Sequence, residues 1–282
     1  MRTHGTIAVA SGKGGTGKTT ICTSLAFVAD PPVCLLDCDV EEPNAHIFLN
    51  PQIEESRSVG IPVPRVDADR CTACGECARV CQYNALAVVK DRVLVFGELC
   101  HGCGGCRLAC PEDAITEEDR PIGSLEKGRS GSIEFVHGRL EVGEALSPPL
   151  ISAVRKAGNR SGLTLIDAPP GTSCPVIEAV RGSDFVVLVT EPTPFGVNDL
   201  ALAADMVQAL GIPAGVVINR SNIGDEKARR FCSENGIPVL LEIPEDRNLA
   251  EAYSRGDRLV DAVPGYGERI RALLARIGEV MG

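Results

Sequence analysis

The chain is built from short apolar runs that end in acidic, polar or glycine-rich segments. Thr6 to Ala10, Val33 to Leu36, Leu163 to Ile166, Asp184 to Val189, Ala214 to Ile218 and Pro238 to Ile243 each read as a buried strand. Between them the spacing of apolar positions becomes helical. Ile21, Leu25 and Val28 share one face, and Asp30-Pro31-Pro32 ends that helix. Leu200, Ala203, Ala204, Val207 and Leu210 form a second stripe, with Asn198 as its expected cap and Gly211 and Pro213 as its stop. Helices are also predicted over Pro149 to Ala157, over Glu226 to Asn235, and at the C-terminus through Ile270, Leu273, Leu274, Ile277 and Met281. Strands alternating with helices imply an α/β fold: a mostly parallel, doubly wound sheet covered on both faces.

The pattern breaks from about Ile61, where Pro62 and Pro64 punctuate the chain. Residues 61–120 read as an inserted module between 1–60 and 121–282. Arg120 to Gly131 is rich in Gly, Pro, Ser and charge and reads as linker. Ile133 to Val142 alternates around Gly138 and reads as a hairpin.

The first apolar run leads into Ser11-Gly12-Lys13-Gly14-Gly15-Thr16-Gly17-Lys18-Thr19-Thr20. Gly12, Gly17, Lys18 and Thr19 fit the phosphate-loop pattern. Glycines let backbone N–H groups curl around phosphate oxygens, Lys18 reaches the outer phosphates, and Thr19 offers a hydroxyl to Mg²⁺. Residues 12–20 are therefore the expected ATP or ADP cradle. Asp39, in Asp37-Cys38-Asp39, lies where open α/β sheets bind ligands, at the C-terminal end of a strand. Asp167 ends another strand and is followed by Ala168-Pro169-Pro170-Gly171-Thr172, which fits an Mg²⁺-binding Walker B element.

The inserted module carries Cys71, Cys74, Cys77 and Cys81, then Cys100, Cys103, Cys106 and Cys110. Both runs are C-x₂-C-x₂-C-x₃-C, and they stand 29 residues apart (100 − 71). Ala85-Leu86 and Ala114-Ile115 match at the same offset, so the module is an internal duplication. This is the spacing of bacterial two-cluster ferredoxins, in which the fourth cysteine of each run serves the other cluster. Cys71, Cys74, Cys77 and Cys110 are thus expected to hold one [4Fe–4S] cluster, and Cys100, Cys103, Cys106 and Cys81 the second. Zinc is the rival for C-x₂-C pairs. Gln82 departs from the proline common after the fourth cysteine, and His101 beside a ligand reads as exposed.

The chain has 282 residues, 13 cysteines and a formal net charge of −10. An odd cysteine count without a signal-peptide pattern favours metal ligation over disulfides. The acidic balance argues against a large nucleic-acid surface. No apolar run reaches membrane-spanning length. The expectation is a cytoplasmic protein with no nucleic-acid partner and no membrane insertion.

Lys13, the early lysine in Gly-Lys-Gly-Gly-Thr-Gly-Lys-Thr-Thr, resembles the deviant Walker A loop of the MinD/ParA family, which includes the cluster-carrying Mrp/Nbp35 ATPases. The resemblance covers nearly the whole chain, with a two-cluster ferredoxin inserted. It implies that Lys13 crosses to a partner's nucleotide in an ATP-dependent homodimer and that Asp39 orients the attacking water. It further implies that Asn219 reads the adenine edge and that Pro244 and Glu245 line the base. Cys174 resembles an intersubunit cluster ligand, without the second cysteine such a site needs. The C-terminal helix stands where MinD has its membrane helix, but Glu268, Glu279 and Gly278 favour core packing. Three functions follow: ATP-gated electron transfer to a redox partner, ATP-dependent assembly or delivery of iron–sulfur or metal cofactors to a client protein, and MinD/ParA-like positioning.

Overall fold

A computed structural model describes residues 4–159 and 161–281. The chain runs β1 (Gly5–Ala10), α1 (Lys18–Val28), β2 (Val33–Asp37), α2 (Ala45–Leu49) and the long β3 (Gln52–Val66). It continues through α3 (Glu76–Val80), β4 (Leu86–Val89), β5 (Arg92–Val95), α4 (Gly105–Leu108), β6 (Ile115–Ser130) and β7 (Ile133–Leu140). Then follow α5 (Pro148–Ala157), β8 (Leu163–Asp167), α6 (Cys174–Val180), β9 (Phe185–Thr190), α7 (Pro194–Ala209) and β10 (Ala214–Asn219). The last elements are α8 (Lys227–Glu234), β11 (Val239–Ile243), α9 (Arg247–Ser254), α10 (Leu259–Ala262) and α11 (Tyr266–Met281).

Strand order in the main sheet is β11-β10-β9-β1-β8-β2-β7-β6-β3. The strands from β11 to β7 are parallel, while β6 runs antiparallel to both β7 and β3. Alternate residues feed two cores. Ile7 and Val9 face α1, α2, α9, α10 and α11, while Ala8 and Ala10 face α5 to α8. The α11 stripe Ile270, Leu273 and Ile277 is fully buried, so this helix spends its apolar face on the sheet. Among the described residues no helix is long and apolar enough to cross a membrane.

Three readings of the sequence need correction. Arg120 to Gly131 is not a linker: β6 runs to Ser130 and pairs with β3 from Gln52↔Arg129 to Val66↔Ile115. Positions 61 and 120 therefore lie inside paired strands, and residues 67–114 project from the end of this ribbon. Pro62 and Pro64 are tolerated because β3 is an edge strand, where a missing N–H breaks no ladder on the open side. Ile133 to Leu140 is one strand, with the turn lying before it at Gly131; Gly138 stays in register opposite Leu125. Finally, α7 begins four residues before Asn198, capped by Thr193 Oγ1, which accepts from Gly196 N at 3.0 Å, with Pro194 in the first turn.

The 67–114 segment keeps the duplication in three dimensions. Gly75 and Gly104 cap α3 and α4 with φ of 85° and 72°. Ala73 and Gly102, and Asn84 and Asp113, repeat positive φ at the same offset. Its small core is Cys77, Ala85, Leu86 and Cys106, completed by Ile115 at the start of β6.

Candidate nucleotide site and cysteine cavities

Strand β1 delivers the phosphate loop to the C-terminal edge of the sheet, beside the ends of β8 and β2. A cleft of about 420 Å³ opens there. Gly14, Gly15, Gly17, Lys18, Thr19 and Thr20 form its floor, and Asp39 lies at its rim. Asn219, Pro244 and Glu245 also line it, with Arg220, Tyr253 and Tyr266. Gly12, Lys13 and Thr16 belong to the loop but are not cleft-lining. Gly12 is needed for packing, because a Cβ there would stand 2.2 Å from the Asp199 carbonyl.

Acidic groups crowd the strand ends. Thr19 Oγ1 donates to Asp167 Oδ2 at 2.6 Å, while the buried Asp167 Oδ1 has no partner among the described residues. Burial pushes Asp167 up to about 7, against the Thr19 hydrogen bond and Lys18. Burial likewise lifts Asp39 to about 6, with Lys18 opposing. The Lys18 amine is pulled down by burial while Asp167 and Asp39 draw it up. A free carboxylate oxygen beside a threonine hydroxyl and a buried lysine fits Mg²⁺ and phosphate: hard oxygen donors for the ion, positive charge for the anion.

Asp37 braces the site, a place in the structure that no sequence motif marked. It is buried, and its oxygens accept from the N–H groups of Asp39 (3.2 Å), Asn44 (3.1 Å) and Ala45 (3.0 Å). It thus holds the 39–45 segment in place, and burial with Asp167 nearby raises its pKa well above the usual carboxylate range. Its place at a parallel strand end was the available signal. Asn219 is engaged already: Nδ2 donates to Thr16 O at 2.9 Å and Oδ1 accepts from Arg220 N at 3.0 Å. Reading a base would require exchanging one of these bonds.

The cysteines fall into two sets around two cavities. Cys71, Cys74, Cys77 and Cys110 line one, with Val66 and Ile115 from the ribbon. Cys81, Cys100, Cys103 and Cys106 line the other, with Pro62, Pro64, His101 and Glu117. The fourth cysteine of each run has crossed to the other run's cavity. Ala85 N and Ala114 N donate to Cys81 Sγ and Cys110 Sγ, both at 3.3 Å, and Gly102 N donates to Cys100 Sγ at 3.4 Å. Burial raises the Cys77 thiol, with Cys71 and Cys110 adding to it, and raises Cys106, with Cys100 and Cys103 adding. Among the described residues no group of three or more His, Cys, Asp or Glu side chains is gathered as a site for a metal ion. Four thiols around one hollow, with N–H groups aimed at sulfur, fit a sulfur-ligated cluster. His101 stacks on Tyr83 with centroids 3.6 Å apart, and Cys174 stands exposed at the start of α6. Cys22, Cys34, Cys38 and Cys232 are buried core residues.

A mostly parallel sheet with a phosphate loop on the middle one of its parallel strands and carboxylates at nearby strand ends defines a P-loop nucleotide-binding ATPase. The chain belongs to the CobQ/CobB/MinD/ParA nucleotide binding domain family, which matches residues 7–260. An uncharacterised protein of Methanocaldococcus jannaschii is 31% identical over 256 residues, covering 89% of this chain and 90% of that protein. An iron-sulfur cluster carrier protein of Aquifex aeolicus is 26% identical over 276 residues, 92% of this chain and 62% of the carrier. In fold, the chain is similar to the septum site-determining protein MinD of Pyrococcus horikoshii complexed with Mg-ADP. The TM-score is 0.58 at 16% identity, over 99% of this chain and 98% of MinD.

Proposed function

We propose that this ATPase couples nucleotide-dependent closure of a homodimer to electron transfer through two [4Fe–4S] clusters to a partner protein. The observation that carries the reading is the crossed sorting of eight cysteines into two cavities on a ribbon continuous with the ATPase sheet. Cys71, Cys74, Cys77 and Cys110 hold one cluster, and Cys81, Cys100, Cys103 and Cys106 the other. When bound, such clusters supply one-electron chemistry, tuned by N–H bonds to sulfur and by solvent exposure.

The chain's own residues do the rest. Residues 12–20 take the phosphates of ATP, Lys18 neutralises them, and Thr19 with Asp167 holds Mg²⁺. Asp39, its pKa lifted towards the working pH, positions the attacking water. Lys13 turns away from its own cleft and serves the partner subunit's nucleotide, which makes this a deviant Walker A loop. Asn219, Pro244 and Glu245 receive the base. The protein works in the cytoplasm.

The carrier reading is kept because of one observation, the similarity to a protein named as an iron-sulfur cluster carrier. In that case clusters leave the protein for a client, which full four-cysteine ligation disfavours. Positioning at a membrane is disfavoured by the burial of the α11 stripe. Anaerobically isolated protein should contain iron and sulfide for two clusters. Adding Mg-ATP should then shift a cluster midpoint potential without transfer to an apo-acceptor. Transfer would establish the carrier reading instead, and protein lacking iron and sulfide after reconstitution would refute both.

A further inference from the structure

Lys13 sits in the phosphate loop yet faces away from the cleft. Its Nζ lies 3.0 Å from Glu191 Oε2, and the other oxygen, Oε1, lies 2.9 Å from an Arg220 guanidinium nitrogen. Glu191 directly follows β9, and its side chain is only 7% exposed. A carboxylate removed from water is costly unless paired, and here two cations share it.

The Glu191 backbone is pinned. Thr193 N donates to Glu191 O at 2.8 Å. A Cβ on Gly196 would come within 2.2 Å of that same carbonyl, and one on Gly224 within 1.5 Å of the Pro192 carbonyl. If Lys13 swings outward, Glu191 cannot follow. It stays behind with Arg220. Of the three residues only Arg220 lines the cleft, and its neighbour Asn219 is bonded to the loop through Thr16. The two cations thus differ: one is on the loop and free to leave, the other is on the cleft wall and stays.

We propose that Glu191 is a positioning residue that stores Lys13 inside its own subunit, and that Arg220 makes release possible by keeping the abandoned carboxylate paired. The inference rests on the reading that Lys13 serves a partner's nucleotide. It gives the two flanking residues opposite effects. Weakening the holder favours the dimer. Removing Arg220 leaves a buried, unpaired carboxylate once Lys13 departs, and so opposes the dimer.

The test uses full-length, cluster-loaded protein saturated with a non-hydrolysable ATP analogue and Mg²⁺. The monomer–dimer midpoint is read by analytical ultracentrifugation. Glu191→Gln is expected to lower the midpoint concentration by roughly 5- to 50-fold, within the usual range of coupling between sites. Arg220→Gln is expected to raise it, and adding Lys13→Ala to Glu191→Gln should erase the gain. A Glu191→Gln midpoint equal to or above wild type overturns the proposal. If that variant does not fold, Arg220→Gln decides alone, and an unchanged or lowered midpoint overturns it. Wild-type protein that stays monomeric, or a Lys13→Ala variant that dimerises like wild type, would instead bring down the underlying reading and this inference with it.

Discussion

At Asp167 two demands compete. To take Mg²⁺ as proposed, the carboxylate must be ionised, yet it is fully buried beside Asp37 and Asp39. An acid raised from 3.8 to about 7 in the folded protein contributes stability below its unfolded pKa and loses it as pH rises through 7. Metal-free, nucleotide-free protein should therefore be destabilised at pH 8, and Asp167→Asn should relieve it. In EDTA the variant is expected to melt several degrees above wild type at pH 8, since ~1 kcal/mol moves a chain of this size by roughly 2–4 °C. The gap should narrow as pH falls from 8 towards 5, and Mg²⁺ with ADP should stabilise wild type alone. A gap independent of pH would show that Asp167 is not the strained group. Asp39 makes the complementary case. Asp39→Asn should leave ATP affinity near wild type and cut kcat on the order of 10²- to 10⁴-fold, the usual worth of a positioned base. An unchanged kcat, measured by phosphate release, would remove Asp39 from the reaction.

At the scale of elements, legibility followed locality. The β1–loop–α1 unit, β2 with Asp39 and β8 with Asp167 were readable because each signal lies within about ten residues and each strand is buried on both faces. The β3–β6 ribbon was not. Gln52 to Ser58 is exposed, Pro62 and Pro64 interrupt the pattern, and Arg120 to Gly131 looks like linker. An edge ribbon with one open side needs neither strict alternation nor an N–H at every position. Glu191 and Arg220 escaped notice because Lys13 lies 178 residues from the carboxylate in sequence, and no local pattern joins them. Cysteine spacing, by contrast, anticipated the crossed sorting around the two cavities, since each half of a duplicated unit repeats the same turns. That crossing has a sharp consequence. Cys110→Ser lies in the second run but should perturb the first cluster, while Cys81→Ser, in the first run, should perturb the second. Electron paramagnetic resonance of the reduced variants is expected to show a different cluster signal altered in each. If both variants alter the same signal, the crossing is wrong.

At the scale of the whole molecule the two cavities are not equivalent. The Cys81 set lies against the ATPase body: Pro62 and Pro64 line its cavity, and a Cβ on Gly102 would stand 3.3 Å from the Pro62 carbonyl. Cys100 packs against both the module core and the sheet core. The Cys71 set lies further out, beyond the end of the ribbon at Val66 and Ile115. Arg120, on β6, pairs with Glu144 in the segment joining β7 to α5. In turn α5 is tied to α6 by the Arg155 guanidinium, which donates to the Glu178 carbonyl at 2.9 Å and to that of Arg181. The segment between Asp167 and α6 borders the nucleotide cleft at Pro170. A contiguous path therefore runs from the phosphate end of the cleft to β6, the ribbon strand opposite Pro62 and Pro64, with the largely buried Arg120–Glu144 pair as its joint. Contiguity alone is not coupling, so the joint must be cut. Glu144→Gln leaves the cleft and all eight cysteines intact. It is expected to keep ATP turnover within about twofold of wild type while abolishing the Mg-ATP shift in the midpoint potential of the inner cluster, followed by redox titration. The outer cluster, lacking this contact, should shift little in either protein. A full inner-cluster shift in Glu144→Gln would mean that nucleotide state reaches the module through the β3–β6 ribbon, not through α5.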